Sequence, residues 1–303
     1  MALSEYVNRV DEHGREMLEH GTALFPIACY HDDLRWEDIP WHWHDELEAF
    51  VVTEGSALSE TDTQRVTLRK GQGCLINVNV LHAQKNMNPG GDCRFHSMCL
   101  QPRLAGGGTE SIYWEKYIRP VTENDSFRMI TLDPGNPLQA SILEHIENAW
   151  QCCVHEPENY EIRVRYEISM LFAEAGKLMP LRKGKTLHRE AVREERMKLM
   201  LQFIRDHLRE ELMVADIAAA ASISESECLR SFRDIIRVSP IRYVQQLRLQ
   251  KAADLLSHTD VSVSKIGEEC GFMDMSYFAR VFRAGYGITP SQYRKNKQVP
   301  DGS

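Results

Sequence analysis

Nowhere in the 303 residues is there a run of the roughly 18 consecutive apolar side chains that a membrane span needs, so no transmembrane segment is expected. The first residues, Met-Ala-Leu-Ser-Glu-Tyr, carry no basic stretch followed by an apolar core, and no secretory leader is read there. The eight cysteines include no C-x-x-C pair and do not make a disulfide framework. They are expected as reduced thiols of a cytoplasmic protein, several of them packed as small apolar side chains. The glycine run at 106–108 is followed by neither Lys-Ser/Thr nor a strand-to-helix turn, which excludes a phosphate cradle and leaves a flexible loop.

What is present describes an ordinary globular protein, 43% hydrophobic and 26% charged, long enough for two or three domains. The net charge of −8 hides an asymmetry. Residues 1–181 carry 15 Lys and Arg against 28 Asp and Glu, a balance of −13, whereas residues 182–303 carry 21 against 16, a balance of +5. Only the C-terminal part is suited to approach a polyanion.

Residues 23–103 read as short strands, among them Leu47–Thr53, Arg65–Arg69, Cys74–Val80 and Arg94–Leu100. Turn residues separate them at Glu54-Gly55, Lys70-Gly71 and Pro89-Gly90-Gly91, a rhythm that favours a sandwich or barrel. From Pro137 the pattern becomes helical, with Leu138, Ile142, Ile146 and Ala149 on one face. A second amphipathic run, Tyr160 to Met179, follows Pro157 and makes a helical hairpin. Such a hairpin either covers the barrel or pairs two copies of the chain, and a dimer is the favoured reading because half-site recognition rewards symmetric pairs. The basic stretch Leu181-Arg182-Lys183-Gly184-Lys185 is the expected linker.

An internal repeat follows. Arg230, Phe232, Arg233, Pro240 and Tyr243 recur fifty positions on as Arg280, Phe282, Arg283, Pro290 and Tyr293, and Ile217 recurs forty-nine on as Ile266. Each copy reads as helix, turn, helix. Val214–Ala221 is followed by the turn Ser222-Ile223 and a helix capped by Ser224 that ends near Ile236. Val263–Cys270 is followed by Gly271-Phe272 and a helix capped by Asp274 or Ser276 that runs to Ala284. Phe232 and Phe282, with Cys228 and Phe278 a turn earlier, are the expected cores. Between the copies Pro240–Ser257 reads as one helix, a stiff spacer of about 25 Å compatible with helices in successive major grooves about 34 Å apart.

The stretch from Ile266 to Arg294, with its Gly-Phe, Tyr-Phe, Arg-x-Phe and Thr-Pro-x-x-Tyr-Arg elements, is similar to the signature of the AraC/XylS family, and the likeness covers both units. That resemblance implies a regulator reading double-stranded DNA with Ser226, Leu229 and Arg230 in the first unit. In the second it implies Met275, Ser276, Ala279 and Arg280. Arginine suits bidentate contact with guanine, and Arg233 and Arg283, one turn further, suit phosphates. Arg237 and Ser222 stand where the family has glycine, so an altered turn is expected in the first unit.

A second constellation, His42-x-His44-x3-Glu48-x6-Gly55, resembles the first cupin motif, and Gly71-x-Gly73 with His82-Ala-Gln-Lys-Asn86 resembles the second. On a strand His42 and His44 share a face. With Glu48 and His82 they make three imidazoles and a carboxylate, a set for Zn, Ni, Fe or Mn, although such histidines also serve as metal-free pocket residues. Trp41, Trp43 and Phe50 join His42, His44, Glu48 and His82 as the candidate walls of a pocket for a small effector, such as a sugar or an aromatic acid.

The resulting expectation is a multi-domain α+β protein. Residues 1–135 form a cupin-like sensing barrel, 136–181 a dimerising hairpin, 182–189 a linker and 190–297 an all-α domain with two helix-turn-helix units. The function expected is a cytoplasmic, homodimeric transcription regulator, an activator that engages RNA polymerase, with no enzymatic role. The rival is a metal-dependent cupin enzyme with an accessory helical domain.

Overall fold

The computed structural model describes residues 20–35, 38–88, 90–179 and 186–298. The chain divides between Glu194 and Glu195 into two compact units.

In the first unit eight strands pair antiparallel throughout: β1 Ile27–Asp33, β2 Ile39–His42, β3 Leu47–Thr61, β4 Arg65–Arg69, β5 Gly73–Ile76, β6 His82–Asn86, β7 Cys93–Leu100 and β8 Met129–Leu132. One sheet runs β1-β7-β3-β5-β8, while β2, β6 and β4 gather on the far half of β3. Thus Glu48–Val51 lies between β7 and β5, and Ala57–Glu60 lies between β4 and β6. The expected turn at Glu54-Gly55 is instead a bulge inside a single 15-residue strand, where the register to β7 shifts between Val52 and Glu54. Gly55 there has φ +71°, and a Cβ would stand 1.9 Å from the Asp92 carbonyl oxygen, so only glycine lets β3 bend from one sheet into the other.

Strand β5 also departs from expectation, ending at Ile76 rather than Val80. Asn77 leaves the ladder, and its side-chain amide donates to the carbonyls of Thr122 (3.2 Å) and Phe127 (3.1 Å). Phe50, Val52, Ile76, Phe95 and Met129 fill the space between the sheets, whereas Leu47, Ala49, Leu75 and Met98 pack under helices. Buried on both faces, β5 reads as a short apolar run, Gly73-Cys-Leu-Ile76, whereas β3 is apolar only in stretches around its bulge.

Around the glycine run, residues 103–122 hold α1 Arg103–Gly106, a π-helical turn Trp114–Ile118 and α2 Arg119–Thr122. Gly106 is buried rather than flexible, for a Cβ on it would meet Ile118 at 2.7 Å and Trp114 at 2.9 Å. The hairpin is α3 Pro137–His155 and α4 Tyr160–Leu178. Asn136 caps α3 by accepting the Leu138 N–H at 3.0 Å, and Pro137 fits its first turn. Ile142, Ile146, Ala149 and Trp150 of α3 and Val164, Ile168 and Phe172 of α4 share one core with the sheet. The Trp150 indole donates to the Tyr30 carbonyl at 3.0 Å.

The expected linker falls partly on residues 180–185, outside the described residues; from Thr186 the chain is helical as α5, Thr186–Asp206. Pro89 of the predicted turn also lies outside them. The second unit continues with α6 Val214–Ala220, α7 Glu225–Ile235, α8 Pro240–His258, α9 Val263–Glu269, α10 Met275–Tyr286 and α11 Pro290–Gln298. The repeat is visible in its packing. Phe232 meets Tyr243 with ring centroids 6.0 Å apart, and their counterparts Phe282 and Tyr293 meet at 5.5 Å. The first helix-turn-helix copy keeps the left-handed φ at both positions, +52° at Ser222 and +68° at Arg237 against +84° and +76° at Gly271 and Gly287, but its second turn closes differently, the Arg237 N–H donating to Phe232 where that of Gly287 donates to Arg283. The fold is multi-domain α+β, and no described helix is long and apolar enough to cross a membrane.

Candidate functional site

Two sites emerge, one in each unit. In the second unit α7 and α10 both begin at a side-chain cap. The Ser224 hydroxyl accepts the Glu227 N–H at 3.2 Å, and the Asp274 carboxylate accepts those of Ser276 (2.7 Å) and Tyr277 (3.1 Å). Cys228, Phe232 and Ile235 bury one stripe of α7, which leaves Ser226, Leu229, Arg230 and Arg233 exposed on the other side. The Arg230 side chain is 62% exposed and lies 4.0 Å from Glu227. Along α10 Phe278 and Phe282 are buried, and Ser276, Arg280 and Arg283 are exposed.

Met275 and Ala279, expected in the groove, are half-buried. Met275 packs on the second unit's core, its sulfur 2.7 Å from where a Cβ on Gly267 would stand. Exposed Tyr277, of the Tyr-Phe pair in the family pattern, is a further residue of this face that the groove positions do not include. The Arg280 guanidinium sits 5.3 Å from the centre of its ring, and its hydroxyl accepts from the Gln245 amide of α8 at 2.9 Å. That stack holds Arg280 part-ordered at the exposed face. Arg248 is structural, donating to the carbonyls of Leu208 and Glu210.

In the first unit His42, His44, Glu48 and His82 are all buried, with one donor atom of each within 4.8 Å of the others. His42 ends β2 and faces His82 of β6 across the ladder, ring centroids 4.1 Å apart. His44 is not on that strand, contrary to the expected alternation. It lies in the β2–β3 connection, where its carbonyl accepts the Asn79 N–H at 2.8 Å. Each imidazole turns Nδ1 to a backbone carbonyl: Pro40 for His42 (2.8 Å), Glu46 for His44 (3.1 Å) and Val80 for His82 (2.8 Å). A carbonyl only accepts, so Nδ1 carries the proton and Nε2 faces inward.

His82 Nε2 lies 2.7 Å from Glu48, whose other oxygen accepts from Gln84 at 3.1 Å. Burial pushes the Glu48 carboxyl up, but His82 and His44 outweigh it and hold it well below the usual carboxylate range. Residue types and closeness suit a divalent ion, although the proton between His82 and Glu48 must leave first. Trp41 and Phe50 are buried, Phe50 against Phe95 at 5.0 Å, and Trp43 is half-buried. A cleft of about 620 Å³ that the sequence reading missed is lined by other residues, including His31, Asp32, Lys70, Arg94 and His96. Beside it His96 stacks on Trp150, with centroids 3.6 Å apart.

Residues 217–296 match the model of a helix-turn-helix domain, and residues 24–146 match that of an AraC-like ligand binding domain. The chain belongs to the AraC family of transcription regulators. As such it is a DNA-binding regulator that carries a ligand-binding domain. The AraC-family chain is 28% identical to the uncharacterized HTH-type transcriptional regulator YdeC of Bacillus subtilis (strain 168), over 94% of its own length and 97% of YdeC. It is 24% identical to the HTH-type transcriptional activator RhaS of Klebsiella pneumoniae (strain 342), over 86% and 89% of the two chains. Among solved structures, a lysine-to-alanine variant of apo ToxT from Vibrio cholerae strain SCE256 aligns over 92% of this chain and 99% of that one, with 13% identity and a TM-score of 0.46.

Proposed function

We propose that this AraC-family chain is a cytoplasmic activator that binds promoter DNA and responds to a small molecule bound by its first unit. The observation that carries the DNA half is the pair of capped helices, α7 and α10, each with an exposed arginine face opposite a buried stripe centred on Phe232 or Phe282. Ser226, Leu229, Arg230, Ser276 and Arg280 are the base-facing set, with Met275 and Ala279 at its half-buried edge and Arg233 and Arg283 on phosphates. Activation is the role in the name of the relative RhaS, and contact with RNA polymerase would follow from it.

Residues 1–135 serve as the sensing domain, 136–181 as the dimerising hairpin, and 190–297 as the reading domain. Exposed Ile162 and Tyr166 (71% and 59%), one turn apart on α4, support self-association of the hairpin. Glutamate at both positions should convert a dimer to a monomer in sedimentation, and an unchanged mass would remove the hairpin from the interface. Trp41, Trp43 and Phe50 with the His42, His44, Glu48 and His82 floor form the effector wall, suited to a sugar or aromatic acid. A divalent ion of the Zn, Ni, Fe or Mn class in that floor would supply affinity for an effector's oxygen atoms. A sensing rather than catalytic role is favoured because the named relatives are transcription regulators.

The test is selection of the full chain on a random duplex pool. Enrichment of one motif, with affinity falling steeply as salt rises, is expected. Salt-dependent binding with no enriched sequence would refute it.

A further inference from the structure

The histidine cluster does not stop at its cupin-like members. His20, just ahead of β1, and Cys99, near the end of β7, bring one donor atom each to within 4.8 Å of His44 and of each other, and all three side chains are buried. The His44 Nε2 atom lies 3.9 Å from the Cys99 sulfur. Each histidine engages its other nitrogen, His20 Nδ1 with the Tyr30 hydroxyl at 2.8 Å and His44 Nδ1 with the Glu46 carbonyl at 3.1 Å. A carbonyl only accepts, so His44 keeps its Nε2 lone pair toward the Cys99 sulfur, and the Tyr30 hydroxyl fixes the His20 ring beside them.

We propose that His20, His44 and Cys99 form a site for a thiophilic divalent ion of the zinc type, distinct from the His42, His44, Glu48 and His82 set and sharing only His44 with it. Two imidazoles and a thiolate are a zinc donor set, and three protein ligands leave a fourth position for water or an effector group. Bond lengths of about 2.0–2.3 Å place donors on a tetrahedral zinc roughly 3.3–3.6 Å apart, so the 3.9 Å contact needs to close by only a few tenths of an ångström. The neighbouring set is less ready. Its His82 uses both nitrogens, on Val80 and on Glu48 at 2.7 Å, and offers no lone pair until that hydrogen bond breaks. At His44 Nε2 the corresponding carboxylate distance is longer, 3.5 Å to Glu48. Binding would release the Cys99 thiol proton to solvent as the sulfur–metal bond forms. The ion would tie the segment before β1 to the β2–β3 connection and to β7. None of this depends on how the second unit reads DNA.

The test uses the full-length, untagged, chelator-treated chain titrated with Co(II). One equivalent should give the intense visible bands of tetrahedral cobalt and a near-ultraviolet thiolate-to-cobalt charge-transfer band. Cys99→Ser should abolish the charge-transfer band. His20→Gln should weaken binding by at least the roughly 10–100-fold that loss of an outer partner costs. Cys29→Ser, Cys153→Ala and His82→Gln should keep the band. The parent spectrum needs no variant to fold: cobalt bound without a charge-transfer band, or no stoichiometric binding, overturns the proposal. Loss of binding in a folded His82→Gln variant would move the ion to the neighbouring set and also overturn it. DNA selection with the same preparations reports independently on the regulator reading.

Discussion

The two helix-turn-helix copies take the same left-handed φ at two turn positions with different residues, and that difference has a measurable cost. Arg237 and Ser222 stand at φ +68° and +52°, where their counterparts are Gly287 and Gly271. Both are kept there by the bonds they help close: the Arg237 N–H donates to Phe232 at 2.8 Å, and Ile223, following Ser222, donates to Ala218 at 3.1 Å. A left-handed L residue costs about 1–2 kcal/mol. Replacing it with glycine returns that strain but frees the unfolded chain by about 0.4–1 kcal/mol. Arg237→Gly should therefore stabilise the second unit by about 0.5–1 kcal/mol.

The reverse changes separate strain from space. Around Gly287 nothing lies within 4 Å of an added Cβ, so Gly287→Ala should lose only the strain, about 1 kcal/mol. At Gly271 the Cβ would also stand 2.8 Å from the Leu208 oxygen and 3.0 Å from the Arg209 Cα, and Gly271→Ala should lose about 2–3 kcal/mol. Calorimetric melting of the full-length variants, following the transition of the helical unit, gives the order Arg237→Gly, parent, Gly287→Ala, Gly271→Ala. If Arg237→Gly melts below the parent, or if the two alanine variants cost the same, the reasoning fails.

Two further outcomes are expected. Gly55→Ala should destabilise the barrel by more than 3 kcal/mol, since strain adds to a clash with the Asp92 backbone at the bulge, and a melting temperature within two degrees of the parent, roughly what 1 kcal/mol would move, would contradict the bulge. His31 has its pKa lowered by burial and by neighbouring His96, so the folded state resists a proton that the unfolded chain accepts near pH 6.5. Stability should fall as pH drops through about 6.5 toward the folded value, and His31→Gln should flatten that part of a melting-temperature profile; an unaltered slope would assign it elsewhere.

The helical unit was far more legible than the barrel. Its signals are local: Ser224 and Asp274 announce helix starts, the fifty-residue echo from Phe232 to Phe282 marks equivalent cores, and α8 runs from a proline to a histidine with no interruption. In the barrel the deciding contacts are distant. Gly55 reads as a turn because glycine next to a charged residue usually is one, and only the approach of Asp92 makes it a bulge. Apolar Val78 and Val80 extend the strand pattern past Ile76, but Asn77 is claimed by carbonyls forty-five and fifty residues away. His44 reached the predicted cluster from a connection rather than a strand, so its place there followed from the motif and not from alternation. His20 and Cys99 could not be joined to it from spacing, since each lies on its own segment. Met275 shows the opposite error: matched to a groove position, it is drawn toward the core by the missing side chain of Gly267.

In the proposed reading, exposed Arg230 and Arg280 touch base edges while Arg233 and Arg283 touch only phosphates. Base-preference profiles of full-length Arg230→Ala, Arg280→Ala, Arg233→Ala and Arg283→Ala, taken on a duplex library at several salt concentrations, test it most directly. The first two should each lose about 1–3 kcal/mol and relax preference at one position, one in each half of the site. The last two should weaken all sequences alike and lower the salt slope by about one. Profiles of Arg230→Ala and Arg280→Ala that match the parent at every position would contradict it.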